Sequence, residues 1–211
     1  MSNQMEQIIY LTSAYLAPIQ YYSKLYRYPS VFIERHDNYI KQTYRNRCII
    51  SGPQGSITLT VPTIKPSTPK IEMKDVEISN HGNWRHLHWK AIESSYNNTP
   101  YYEHYKELFQ PFYEQQYTYL FDFNLELQEL ICSLIHIQPN LQFTEEYRFD
   151  FTENELDFRE VIHPKKESAL HDSLFQVKPY YQVFSQQTGF IPNLSILDLL
   201  FHKGPEAICY L

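Results

Sequence analysis

Nine consecutive residues, Tyr39-Ile40-Lys41-Gln42-Thr43-Tyr44-Arg45-Asn46-Arg47, put three cations, two phenols and the amide of Asn46 just ahead of the apolar run Cys48-Ile49-Ile50. The chain carries 18 Lys and Arg against 24 Asp and Glu, a formal net charge of −6. A local concentration of positive charge therefore stands out. Arginine offers a planar fork of donors and lysine a mobile point charge, a combination suited to phosphate or carboxylate recognition. Tyr39, Lys41, Tyr44, Arg45, Asn46 and Arg47 are accordingly read as substrate-binding residues. If the stretch is extended, Arg45 and Arg47 share a face and Lys41 joins them. The competing reading is a solvated loop whose cations pair with nearby carboxylates.

An anion-holding cluster can do chemistry only with a proton-accepting group within reach. His88 is one candidate. It lies one helical turn after Trp84, and a His beside a Trp is either a satisfied core residue or a base held near neutral pKa. His36 is the second candidate, and Trp84 joins the substrate-binding set. The group His81, His86 and His88 makes a poor metal site, because His86 and His88 do not share a helical face and no Cys or carboxylate completes the ligands. The chain has none of the signatures GxGxxG, GxxxxGK[ST], GxSxG or HExxH, and it has five glycines. No metal or cofactor is expected, and a phosphate would have to be held by side chains.

The elements that must position these residues can be read from periodicity. Ile8-Ile9-Tyr10-Leu11 reads as a buried strand, Ile19 to Tyr28 as a helix closed by Pro29, and Val31-Phe32-Ile33 as a second strand. Together they predict a βαβ-like unit with a parallel pair. Cys48–Ile50 and Ser56–Val61 flank Gly52-Pro53-Gln54-Gly55, a hairpin pattern. Val76-Glu77-Ile78-Ser79 alternates like a further strand. From Trp84 the period becomes helical. Thr99-Pro100 reads as a helix start, with that helix interrupted at Pro111. Leu127, Leu130, Ile131, Leu134 and Ile135 mark the clearest helix, with Pro139 beyond its end. Asp157-Phe158-Arg159 puts acid and base on one face if extended. Ser195-Ile196-Leu197-Asp198 resembles a capping box with Asp in place of Glu, and Lys203-Gly204-Pro205 is a stop signal with Gly204 suited to a left-handed turn. The reading is a single mixed α/β domain over 1–211. It has an N-terminal βαβ-like unit, hairpin strands, a helical middle and a short capped C-terminal helix, with exposed loops near 63–74 and 163–172.

At 211 residues, 43% hydrophobic and 20% charged, the chain has the composition of one folded core. Its acidic balance argues against nucleic acid or an anionic membrane as partner. Cys48, Cys132 and Cys209 are odd in number and widely spaced, as in a reduced cytosolic protein. The start Met1 to Gln7 is polar and the apolar run after it too short for a signal or a span, so a cytoplasmic location is expected. Tyr and Phe number 19 and 13, enough for Tyr-lined pockets as well as a Tyr-rich core.

In this order, several segments resemble the WbqC-like family of bacterial proteins. They are Pro18 with Tyr22; Tyr39-Ile40-Lys41 with Arg45-Asn46-Arg47; Leu59-Thr60-Val61-Pro62; Trp84 and His88-Trp89; Tyr96, Pro100 and Tyr105; and Phe190 through Phe201 with Gly204-Pro205. The chain departs from the family pattern at Ser13-Ala14-Tyr15-Leu16, at Tyr21-Tyr22, and at Arg35-His36, where many members carry an acidic pair; Asp37 follows. The resemblance implies a place among genes for O-antigen and other surface sugars. The activity it implies is transfer of an acyl or aminoacyl group to an amino sugar. Lys41, Arg45 and Arg47 would hold the anionic group of an activated donor (a nucleotide sugar, CoA or aminoacyl donor), and His88 or His36 would take the acceptor's proton. The alternative is a non-catalytic accessory protein that binds a sugar nucleotide or a pathway partner.

Overall fold

In the computed structural model, residues 7–65, 68, 70–165, 172 and 174–211 are described. The apolar run at the start forms β1 (Ile8–Thr12), buried almost throughout, and α1 (Ile19–Arg27) returns the chain to β2 (Ser30–Glu34). The crossover makes the pair parallel, with Ile8 opposite Ser30 and Thr12 opposite Glu34. This is the predicted βαβ unit. The hairpin β3 (Arg47–Gly52) and β4 (Gly55–Thr60) is antiparallel, as expected from its Gly/Pro turn.

Helices α2 (Trp84–Tyr96), α3 (Tyr102–Glu114) and α4 (Leu120–Leu134) fill the middle. The later strands β5 (Leu141–Phe143) and β6 (Glu155–Asp157) join the first sheet in the order β5-β2-β1-β6, all parallel. A short α5 (Ser185–Thr188) precedes α6 (Ile196–Lys203), which passes into a 3₁₀ turn over Gly204–Tyr210. One continuous apolar core joins β1, the hairpin, α4 and α6. Among the described residues no helix is long and apolar enough to cross a membrane.

Several local expectations are corrected. Val76–Ser79 makes only isolated bridges, Ile78 to Thr63 and Glu77 to Tyr119, so it is not a strand. Thr99 does not open α3: its hydroxyl donates back to the Tyr96 carbonyl, finishing α2, and α3 starts at Tyr102. Pro111 sits inside α3 without ending it; the carbonyl it cannot bond belongs to exposed Glu107, within reach of solvent. Ser195 caps α6 as predicted, accepting from Leu197 N. Asp198 does not complete the box: Ser195 N donates to Ile49 O, and Tyr180 and Gln182 both donate to Asp198 Oδ2. Gly204 has φ 54° and ψ −130°, outside the left-handed helical turn expected. A Cβ there would come within 2.4 Å of the Tyr101 ring, so both backbone and packing require glycine. Of the two expected exposed loops, residues 66, 67, 69 and 166–171 lie outside the described residues. Ile64, Lys65, Thr68 and Lys70 are exposed, and backbone bonds tie Ile64 to Glu77 and Ile71 to Tyr39.

Candidate functional site

In open parallel sheets, ligands bind in the crevice outside the carboxyl ends of the strands. All four strands of the parallel sheet end on one polar cluster. β1 contributes Thr12, β2 runs from Glu34 into Arg35-His36-Asp37, β5 is followed by Thr144, and β6 leads through Asp157 to Arg159 and Glu160. A cleft of about 440 Å³ borders this cluster, lined by His36, Asp37, Asn38, Ile40, Arg45, Lys70, Glu72, Tyr147, Phe149 and Glu160.

Asp37 is 4% exposed, and its Oδ2 accepts from Thr12 Oγ1 at 3.1 Å and from Arg45 Nε at 2.9 Å and Nη2. Its Oδ1 is buried with no partner among the described residues. Burial pushes the Asp37 carboxyl above its usual range against the pull of Arg45 and Thr12, and buried Glu34 adds to the push. His36 shows a similar division. Its Nδ1 meets Glu72 Oε2 at 2.9 Å, while Nε2 is buried and lacks a partner among the described residues. A buried polar atom left unbonded costs about 1–3 kcal/mol unless a water or ligand meets it, and here two such atoms sit on adjacent residues that line the cleft.

Behind them lies a second charged layer. Glu34, with no solvent exposure, accepts from His36 N at 2.9 Å, Thr144 Oγ1 at 2.6 Å and Arg159 Nη1 at 2.8 Å. Arg159 clasps Asp157 through Nε and Nη2, both at 2.8 Å. These bonds fix Glu34, the last residue of β2, and through its bond to His36 N the turn that carries His36 and Asp37.

The structure brings part of the predicted cation cluster together. Arg45 borders the cleft, and Tyr39 lies within electrostatic reach of both Arg45 and Arg47. Arg45 is only 1% exposed, and Glu160 as well as Asp37 neutralises it. Arg45 is therefore not a free anion ligand, as its reading as a substrate-binding cation would need, but a buried cation held by two carboxylates. The stretch is not extended either. Residues 41–46 form turns, with Gln42 at φ 64° and Thr43 Oγ1 donating to Ile40 O, so Arg45 and Arg47 do not share a strand face. Lys41 is exposed. Tyr44 is packed in the core, and Asn46 is buried with its amide donating to Val61 O at 3.0 Å.

His88 and Trp84 sit apart from the cleft's lining, in an aromatic layer with Tyr15, Tyr113 and Phe123. His88 Nδ1 is 3.0 Å from Tyr15 Oη, which is 2.8 Å from Tyr113 Oη. Burial pushes the His88 pKa down to about 4, with a bond to the Thr60 backbone opposing. Trp84 Nε1 donates to Ser79 O at 3.0 Å. Of the two readings offered for His88, these contacts match the satisfied core residue, and His36 is the histidine at the cleft. The placement of Asp37, Glu34, Glu72, Arg159 and Glu160 was not anticipated. The one available signal was acid and base together in Asp157-Phe158-Arg159 and in Arg35-His36-Asp37.

The model of the WbqC-like protein family matches residues 13–210. An uncharacterised protein of Mycobacterium tuberculosis is 27% identical over 231 aligned positions that cover 98% of both chains. No solved structure matches.

Proposed function

The chain belongs to the WbqC-like protein family, and from that premise we propose that it is a group-transfer enzyme placing an acyl or aminoacyl group on an amine or hydroxyl of a small acceptor, an amino sugar in surface-polysaccharide or related biosynthesis. The observation that carries this reading is that two adjacent residues lining one cleft at the carboxyl edge of the parallel sheet, His36 and Asp37, each hold a buried polar atom, Nε2 and Oδ1, without a partner among the described residues.

In the tautomer whose Nδ1–H donates to Glu72, with Lys74 Nζ (3.3 Å from Nδ1) pairing with Glu72 Oε2 instead, His36 keeps the lone pair of Nε2 for a proton, the arrangement a general base requires. In the proposed step the acceptor's nitrogen or oxygen attacks the donor carbonyl carbon. His36 takes the proton released as the new bond forms and returns it to the departing thiol or alcohol. Asp37, held by Arg45, accepts a hydrogen bond from the acceptor and orients it. Because Arg45 is neutralised, the donor's anionic group falls to Lys70 at the cleft and to Lys41 on the adjoining turn.

A thermal-shift screen of nucleotide sugars, acyl-CoAs and aminoacyl donors, followed by mass spectrometry of each hit incubated with amino sugars, tests this. The expected result is a mass-shifted acceptor whose formation is lost in His36→Gln while donor binding survives. Full transfer by His36→Gln would remove the base from the proposal. Binding with no turnover by the native protein would favour the accessory-binding alternative.

A further inference from the structure

Phe149 is 80% exposed, the most exposed large apolar side chain among the described residues, and it borders the His36–Asp37 cleft. Single exposed apolar residues are ordinary; this one differs in its anchorage. Its ring meets Tyr147, itself 38% exposed, edge to face with centroids 4.8 Å apart. The Arg159 guanidinium lies 4.3 Å from the Tyr147 ring centroid and is locked by Asp157 and buried Glu34. The aromatic pair is thus tied through one cation to the ends of β2 and β6. Ile40, 46% exposed, lines the same cleft.

We propose that Tyr147 and Phe149 form a stacking shelf, and that the ligand of this cleft is a ring with one apolar face and N–H or O–H donors on its edge. This rests on the reading of the cleft as the reactive site. The apolar face would lie on Phe149, and the edge donors would meet the acceptor oxygens of Asp37 and Glu160. A shelf anchored before the ligand arrives loses little side-chain freedom on binding. A pyranose bearing an amine and a nucleobase share this chemistry.

The test uses Phe149→Trp, which puts a fluorophore on the shelf; the native tryptophans, Trp84 and Trp89, lie on α2. Glucosamine and adenosine are titrated separately, with the native protein as reference. Saturable quenching that appears only in Phe149→Trp supports the shelf, and the ring that produces it identifies the ligand's source. For that ring, calorimetry should show Phe149→Ala binding about tenfold more weakly than the native protein, with the melting temperature unchanged. Equal affinity in Phe149→Ala, or no saturable quenching with either ring, overturns the shelf. Neither result bears on transfer, whose own failure would show as full activity in His36→Gln.

Discussion

Arg45 sends two donors, Nε and Nη2, to a single oxygen of Asp37, leaving the other carboxylate oxygen without a partner among the described residues. A bidentate fork would occupy both oxygens. This one-oxygen pairing holds the carboxylate by one side and leaves the other oxygen of a cleft-lining residue as an acceptor in reserve. The residue that looked from composition like an anion ligand is instead the group that sets a buried carboxylate in place.

Removing one member of such a buried pair strands the other. Arg45→Met should cost about 3–5 kcal/mol, because the Asp37 charge loses its compensation. The double replacement Arg45→Met with Asp37→Leu should cost less than the two single changes summed. Urea denaturation of the four proteins reads this directly; strict additivity would show that the pair is not coupled.

His88 links stability to pH. Its pKa is depressed to about 4 in the folded chain against about 6.5 when unfolded, so below that higher value the unfolded chain binds a proton the folded one refuses. Its contribution is complete above pH 6.5 and is lost as pH falls to 4, a change of about 3 kcal/mol. His88→Gln should show a shallower decline over this window. Parallel stability curves for the two proteins would count against the assignment.

Ser195 does two things at the start of α6. Its Oγ accepts from Leu197 N at 3.4 Å and donates to Leu16 O at 2.8 Å. Ser195→Ala should cost about 1–2 kcal/mol, combining a lost cap with an unbonded buried carbonyl. A thermal melt indistinguishable from the native one would refute both roles.

Lys24 is wholly buried on α1, with its ammonium 2.7–2.8 Å from the two oxygens of Asp172 and 5.1 Å from the Phe158 ring centroid. Lys24→Met alone should destabilise by about 3–5 kcal/mol, and Lys24→Met with Asp172→Leu should recover much of that loss. Chemical denaturation that finds the double variant no better than the single one would contradict a pair-based account.

The sequence by itself determined the elements whose reasons are local. The apolar runs at Ile8 and Val31, separated by a helix-length segment, could hardly pair other than in parallel, and Gly52-Pro53-Gln54-Gly55 permitted only a tight reversal. Ser195 ahead of an apolar run was a cap whatever lay around it. The site was legible only in part. Its cations and histidines were visible as residue types, but their partners lie far away in sequence: Arg45 with Glu160, Glu34 with Arg159, His36 with Glu72. β5 and β6 are three residues each, too short to show a period, and they form because β2 and β1 offer edges to pair with. Tertiary structure alone decided which histidine faces a cleft. His88 had the better local pattern, yet packing placed it among Tyr15, Tyr113 and Trp84, where burial holds it neutral. His36, marked in the sequence only by the mixed charges of Arg35 and Asp37 beside it, follows a parallel strand at the sheet's carboxyl edge, where strand ends meet open space.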